Sequence, residues 1–229
     1  MPKEPTREEP SQRTKALEEE RLNADIDTGA NRPVIQDMAT IINMAEVQSI
    51  MDDFYNLTGM VTAILDLKGN VLEQTGWQDI CTKFHRKHPQ TSQNCTESDL
   101  FLVKSLKPGE YAEYKCKNGL WDVVTPLHVG GTHLGNIYTG QFFYDDEQVD
   151  EEVFEKQAEM YGFDKKAYLD AFHRIPRYSR ETITHLMNFL VKFAVYISKI
   201  GLANTLEPLR FFRRLFCLSQ ATMAWDCSD

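Results

Sequence analysis

Apolar positions are sparse over residues 1–33 and become periodic from Val34. Ile41, Ile42, Met44, Val47, Ile50, Met51, Phe54 and Tyr55 recur at three- and four-residue intervals, which places them on one face of a helix running to about Leu57, with Gly59 as its stop. The pattern then shortens to alternation. In MVTAILDLKGNVLEQTGW two β-rich runs flank Lys68-Gly69-Asn70 and predict a hairpin. QDICTKFHRKHP has helical spacing and should stop before Pro89, because the residue ahead of a proline is pushed out of the helical region. A further helix is predicted from Ser92 to Leu106, capped by Thr91 or Ser92. Pro108-Gly109 makes a turn, and three strand-like runs follow, YAEYKC, LWDVVTPLHV and HLGNIYTGQFF, separated by the turn pairs Asn118-Gly119 and Gly130-Gly131.

The remainder reads as helical: about Asp150 to Tyr161, Lys165 to Phe172, and a long helix from about Ser179 to Ile200. Ile183, Leu186, Met187, Leu190, Phe193, Ala194, Ile197 and Ile200 form its apolar stripe, and Gly201 is the expected stop. The pattern divides the chain into a disordered leader over 1–33, a folded domain over 34–201 and a C-terminal tail over 202–229. In the tail Arg210, Arg213 and Arg214 lie among Phe211, Phe212, Leu215 and Phe216, which could form a short basic amphipathic helix for a partner or a membrane surface, or else a docked or frayed tail. Five antiparallel strands with helices inserted after the second define an α+β class.

Composition narrows the function. A net charge of −9 over 229 residues argues against direct nucleic-acid binding, since phosphate contacts need clustered Lys and Arg. The charged first twenty residues lack a signal-peptide core, and no uninterrupted apolar run has membrane-spanning length, so a cytoplasmic protein without a membrane segment is expected. Five cysteines without a secretion signal suit reduced thiols or metal ligands better than a disulfide framework. No Gly-x-Ser-x-Gly, phosphate loop, dinucleotide fingerprint or His-Glu-x-x-His occurs, and the chain is not expected to be an enzyme.

Unusual side chains concentrate between Cys81 and Gln141. Cys81 and His85 stand four apart and share a helix face, with Cys95 and Cys116 on neighbouring elements. These four could hold zinc or iron, or serve a haem, although no Cys-x-x-Cys pair tightens the spacing. They could equally pack as small apolar groups. Trp77, Tyr114, Trp121, Phe142 and Phe143 could line an apolar cavity, with Tyr138, Gln141 and His133 as polar groups, in the manner of a small-ligand pocket.

The strings CTKFHRKHPQTSQNCTESD and YKCKNGLWDVVTPLHVGGTHLGNIYTGQFF together resemble the PocR sensory domain. Cys81, Cys95, Ser98, Asp99, Tyr114, Cys116, Asn118, Gly119, Leu120, Pro126, His133, Leu134, Gly135, Gly140, Gln141, Phe142 and Phe143 carry the likeness, which spans about Val47 to Ile200. It implies a PAS-like or GAF-like α+β sensor for a small organic molecule such as a short diol or other short hydrocarbon derivative. It also implies a downstream partner such as a histidine kinase or a transcription regulator, and pairing of terminal helices in a homodimer. No kinase, cyclase or helix-turn-helix module follows Gly201, so the output is expected from a partner or a longer chain. Trp77, Cys81, His85, Cys95, Tyr114, Cys116, Trp121, His133, Tyr138 and Gln141 are the candidate ligand residues. Two competing readings are a metal or haem redox sensor using Cys81, Cys95, Cys116 and either His85 or His133, and a thiol nucleophile.

Overall fold

The computed structural model describes residues 38–101 and 106–219, the stretch 207–219 as main chain alone. The predicted leader lies outside the described residues. A 3-10 turn, Met38–Thr40, precedes helix α1, Met44–Thr58. The Asn43 side chain accepts from Glu46 N to cap the helix. At the other end Gly59, at φ 70°, donates its N–H to Tyr55 O. The first helix therefore starts slightly later than Ile41 but stops where the glycine predicts.

Strands β1 (Thr62–Asp66) and β2 (Val71–Thr75) form the expected hairpin. Asp66 closes its turn by accepting from the main-chain N–H groups of Lys68 and Asn70. Next comes a π-helix, Ile80–His85, where an ordinary helix was expected. Helix α2 follows at once as Pro89–Phe101. Pro89 begins this helix rather than ending the one before, because proline's missing N–H costs nothing in a first turn. Thr91 does not cap it; its hydroxyl donates to His85 O at 2.7 Å and ties α2 to the π-helix.

Strands β3 (Ala112–Lys115), β4 (Trp121–Val129) and β5 (Thr132–Tyr144) complete an antiparallel sheet of order β2-β1-β5-β4-β3. Helices α3 (Glu151–Tyr161) and α4 (Lys165–His173) follow, and a two-residue β6, Arg177–Tyr178, pairs parallel with the end of β5. The α+β class and the five antiparallel strands are as the alternation predicts. The short parallel β6 was not foreseen, since two residues carry no period.

Helix α5 runs from Arg180 to Ser219. Gly201 does not stop it. A Cβ there would sit 3.2 Å from Val129 Cγ2 and 3.4 Å from Ile42 Cγ1, so this glycine serves close approach to β4 and the segment before α1. By length and composition Arg180–Leu206 is apolar enough to cross a membrane, a property the broken apolar runs of the sequence had argued against. One face of it is nonetheless core: Ile183, Met187, Leu190, Ala194 and Ile197 pack with Val47 and Met51 of α1 against Ile64, Val123, Leu127, Ile137 and Phe142 of the sheet. Each such buried side chain contributes about 1.5–3 kcal/mol relative to an exposed one. The opposite face of the sheet carries Ala63, Leu65, Val124 and Tyr138. A satellite core of Ile80, Cys81, Leu120, Phe143, Phe154, Tyr168 and Phe172 joins the π-helix to α3 and α4.

Candidate functional site

Alternation along β4 sends Trp121 and Val123 toward the α1/α5 core and Asp122 and Val124 to the other face. There a cavity of about 40 Å³ lies among β1, β4, β5, the π-helix and α2. Its volume exceeds the ~10–15 Å³ that one water needs and falls far below the ~300–1,000 Å³ of pockets for drug-sized ligands. Its walls include Thr62, Trp77, Cys81, His85, Arg86, Cys95, Asp99, Cys116, Asp122, Tyr138 and Gln141.

The backbone is bent to build this wall. Trp121 pairs with Phe142 but Asp122 with Gly140, so Gln141 is an extra residue in β5, at φ 59°. The bulge aims the Gln141 side chain at the segment before the π-helix, where its Oε1 accepts from Gln78 N at 2.6 Å. Gln141 N donates to Asp122 Oδ1 at 3.2 Å. Gly140 has to be glycine, because a Cβ would fall 1.8 Å from Asp122 Oδ1 and 3.0 Å from its Cα. A left-handed non-glycine residue, a bulge and a π-helix around one cavity are the kinds of strained geometry that persist where function requires them.

The pocket wall carries one guanidinium, Arg86, and two carboxyls, Asp99 and Asp122. Arg86 donates to Asp99 Oδ2 at 3.0 Å and lies over the Trp77 ring at 4.4 Å. Burial opposes the Arg86 charge, but Asp99 outweighs it and the guanidinium pKa is raised. Burial likewise raises the Asp99 carboxyl, with Arg86 pulling the other way. Asp122 is lifted to about 7 by burial, reinforced by Asp99 and offset in part by the Gln141 N–H, Arg86 and the Cys116 thiol. Burial also pushes up all three thiols, Cys95 to about 11 and Cys81 and Cys116 further. His85 is lowered to about 4 by burial and then by Arg86, and is neutral. Its Nε2 meets the Tyr168 hydroxyl at 2.7 Å, and that hydroxyl donates to Gln157 Oε1 at 2.7 Å. Among the described residues the buried Arg86 Nε of the cavity wall has no partner, and neither has Thr62 Oγ1, which shares its strand face with Ile64 toward the α1/α5 core. Unpartnered groups of this kind cost about 1–3 kcal/mol each.

Of the residues singled out from sequence, Trp77, Cys81, His85, Cys95, Cys116, Tyr138 and Gln141 line the cavity. Tyr114 stands outside, its hydroxyl 3.5 Å from Asp99 Oδ1. Trp121 points to the other sheet face and donates to Glu147 Oε2 at 2.7 Å. His133 sits near the β4–β5 turn, stacked on His128 at 4.6 Å with its Nε2 2.8 Å from Asn136 Oδ1. Phe142 and Phe143 belong to the two cores. The ionic members Arg86, Asp99 and Asp122, and Thr62, were not singled out as ligand residues. A lone Asp inside the apolar run LWDVVTPLHV was the available signal, because an unpaired carboxylate there has to be buried.

The donor set does not fit a metal. Cys81, Cys95, Cys116 and His85 share the cavity wall, yet among the described residues no three His, Cys, Asp or Glu side chains are grouped to hold a metal ion. The Arg86 cation also lines this wall, and a volume of about 40 Å³ has no room for a haem macrocycle. Raised thiols are also the reverse of what a nucleophilic cysteine needs.

An antiparallel sheet backed by two helices on one face, with a small polar cavity on the other, is an α+β architecture. The chain belongs to the family described as the sensory domain found in PocR, whose profile matches residues 40–202. It is also 29% identical over 105 residues to the Regulatory protein PocR of Salmonella typhimurium, covering 45% of this chain and 34% of that protein. The chain thus matches about a third of the length of that curated relative.

Proposed function

We propose that the chain is a sensor for a small, neutral, oxygen-bearing organic molecule, with short diols as the leading class, and that it has no catalytic activity of its own. One observation carries this: a cavity of about 40 Å³ in which Arg86 is already paired with Asp99 while its Nε has no partner. An anionic ligand would have to displace Asp99 from Arg86. A two- to four-carbon diol brings an oxygen that can accept from Arg86 Nε, and a short carbon stem for the Cys81, Cys95 and Trp77 wall.

The route outward follows the same strands. Asp122, Gly140 and Gln141 bound the cavity, while Val123, Leu127 and Phe142 of those strands hold α5 on the other face. A ligand that prefers one setting of the β4–β5 bulge therefore biases the seating of α5, and the effect is limited to its difference in affinity for the two settings. A regulatory partner such as a histidine kinase or a transcription regulator would read that bias. The relative's printed name, a regulatory protein, supports this reading.

Calorimetric titration with 1,2-propanediol, 1,3-propanediol and glycerol tests it. Saturable binding to the wild type of at least one of these, weakened about tenfold or more in Arg86→Gln (about 1.4 kcal/mol per tenfold), is the expected result. Heat-silent titrations with all three, together with an aromatic or charged metabolite found by mass spectrometry of the purified protein, would overturn it.

A further inference from the structure

Asp122 is the member of the pocket wall whose chemistry binding through Arg86 leaves unused. Strand alternation turns it away from Trp121 and Val123 and into the cavity. Its carboxyl lies in the space that a side chain at residue 140 would fill, and Gln141 N donates to its Oδ1 at 3.2 Å. A glycine and a left-handed Gln141 at φ 59° thus serve to hold one carboxyl in place.

The groups around it decide which form is held. Arg86 is paired with Asp99, and among the described residues no ion pair includes Asp122. A carboxyl set beside Ala63, Leu65, Trp77 and Leu120 without a cation of its own escapes the cost of a buried charge by keeping its proton. Oδ1 accepts from Gln141 N, so the proton sits on Oδ2. The Cys116 thiol at the same carboxyl is only a weak acceptor. The two phenols of this face, Tyr114 and Tyr138, both bond to Asp99 instead. The acid O–H is therefore left to the cavity, as Arg86 Nε is. Two donors, one on β4 and one at the end of the π-helix, face about 40 Å³ of shared space.

We infer, resting on the ligand reading above, that Asp122 is a second recognition residue, a neutral carboxylic acid that donates to one ligand oxygen while Arg86 Nε donates to the other, so that the ligand and the Asp122 proton are bound together. Ionised, Asp122 has no hydrogen to give and sets two carboxylates against one guanidinium. Affinity is therefore level in acid and falls tenfold per pH unit once Asp122 ionises, which its pKa of about 7 places just above neutrality. The other groups facing it do not titrate there. On the π-helix His85 is lowered to about 4 and Cys81 is raised, and Arg86 beside it stays charged. Cys95 on α2 is raised to about 11. Tyr114 and Cys116 at β3 and Tyr138 on β5 are all pushed up by burial. Asp99 is the other carboxyl, and Asp122→Asn separates the two.

Titration calorimetry of the full chain with 1,2-propanediol, 1,3-propanediol and glycerol at pH 6, 7 and 8, in buffers of high and low ionisation heat, tests the coupling. The polyol that binds at pH 6 should bind about tenfold more weakly at pH 8, with an enthalpy at pH 8 that differs between buffers because a proton is taken up. Asp122→Asn keeps an N–H donor in the same place and has no proton to lose. It should bind at pH 8 as the wild type does at pH 6, with no buffer dependence. An affinity that is level across this range would overturn the inference, as would one that rises with pH because an ionised Asp122 accepts from a ligand hydroxyl. So would an Asp122→Asn variant whose binding still falls with pH. Each of these leaves the sensor reading standing, whereas silence with all three polyols at every pH sinks both.

Discussion

Asp122 carries the sharpest consequence at the level of single residues. The native state keeps its proton up to about pH 7, whereas the unfolded chain releases it near 3.8. The unfolded state therefore binds fewer protons across this window, and this group makes stability fall as pH rises from about 4 to 7. Asp122→Asn cannot lose that proton. Its stability advantage over the wild type should grow across the window, by at most about 1.4 kcal/mol per pH unit, and level off above pH 7; urea melts at intervals from pH 4 to 8 measure it. His85 acts in the opposite sense. Its native pKa near 4 lies below the ordinary value of 6.5, so its contribution is present above pH 6.5 and lost as pH falls toward 4. Removing Asp122 should leave that acid-side loss visible. Gln141 gives a second test. Gln141→Ala keeps the left-handed backbone and strands Gln78 N, whereas Gln141→Gly loses the same hydrogen bond but relieves the strain. The glycine variant should be the more stable by about 1–2 kcal/mol in chemical denaturation. The sequence makes the cavity's soft wall legible, because Cys81, Cys95, Cys116 and Trp77 are rare residue types gathered in one region. It conceals the ionic wall. Arg86 and Asp99 look like ordinary helix-surface charges until the Asp99 carboxylate is seen accepting from Arg86 beneath Trp77.

Among the elements, those with strong periodicity form as read: α1, the β1–β2 hairpin and the three strands from Ala112 to Tyr144. The departures occur where tertiary contact overrides local preference. Ile80–His85 takes the rarer π form, with Ile80 and Cys81 in the satellite core and His85 on Tyr168. Gly201 reads as a terminator because glycine usually ends helices, yet here it admits Val129 to the helix surface. Gly201→Ala therefore sets a propensity gain of about 1 kcal/mol against contacts of 3.2 and 3.3 Å with a β-branched side chain that has little room to turn. A net loss of thermal stability is expected, and a rise in Tm would show that Val129 yields. Gly140→Ala has no such latitude. Asp122 Oδ1 stands 1.8 Å from the new carbon, so the variant should lose the bulge, the Gln78–Gln141 hydrogen bond and ligand binding together. Proton–deuterium exchange at Gln78 N would report it.

For the whole molecule, ligand binding and folding draw on the same contacts. A diol that binds only the native state at a hundred times its Kd adds about 2.7 kcal/mol. For a chain of this size that corresponds to a rise in Tm of roughly 5–10 °C, at about 2–4 °C per kcal/mol. Scanning calorimetry against diol concentration should show the rise in the wild type and little of it in Arg86→Gln. The α+β architecture was legible because its layers rest on long periodic segments. The unbroken reach of α5 was not, because Gly201 reads as a stop and so separates the stripe before it from the amphipathic pattern of Arg210 to Phe216 after it. That reach has a mechanical meaning. From Gly201, where the helix is pinned against Val129, to Ser219 is about 27 Å at 1.5 Å per residue. Pivoting there by about 10° would swing the far end through about 5 Å, close to the 5.4 Å rise of one helical turn. A change of a few tenths of an ångström at the β4–β5 bulge, too small to matter within the cavity, would thus arrive at the end of this lever as a displacement that a neighbouring helix can register as a different set of notches.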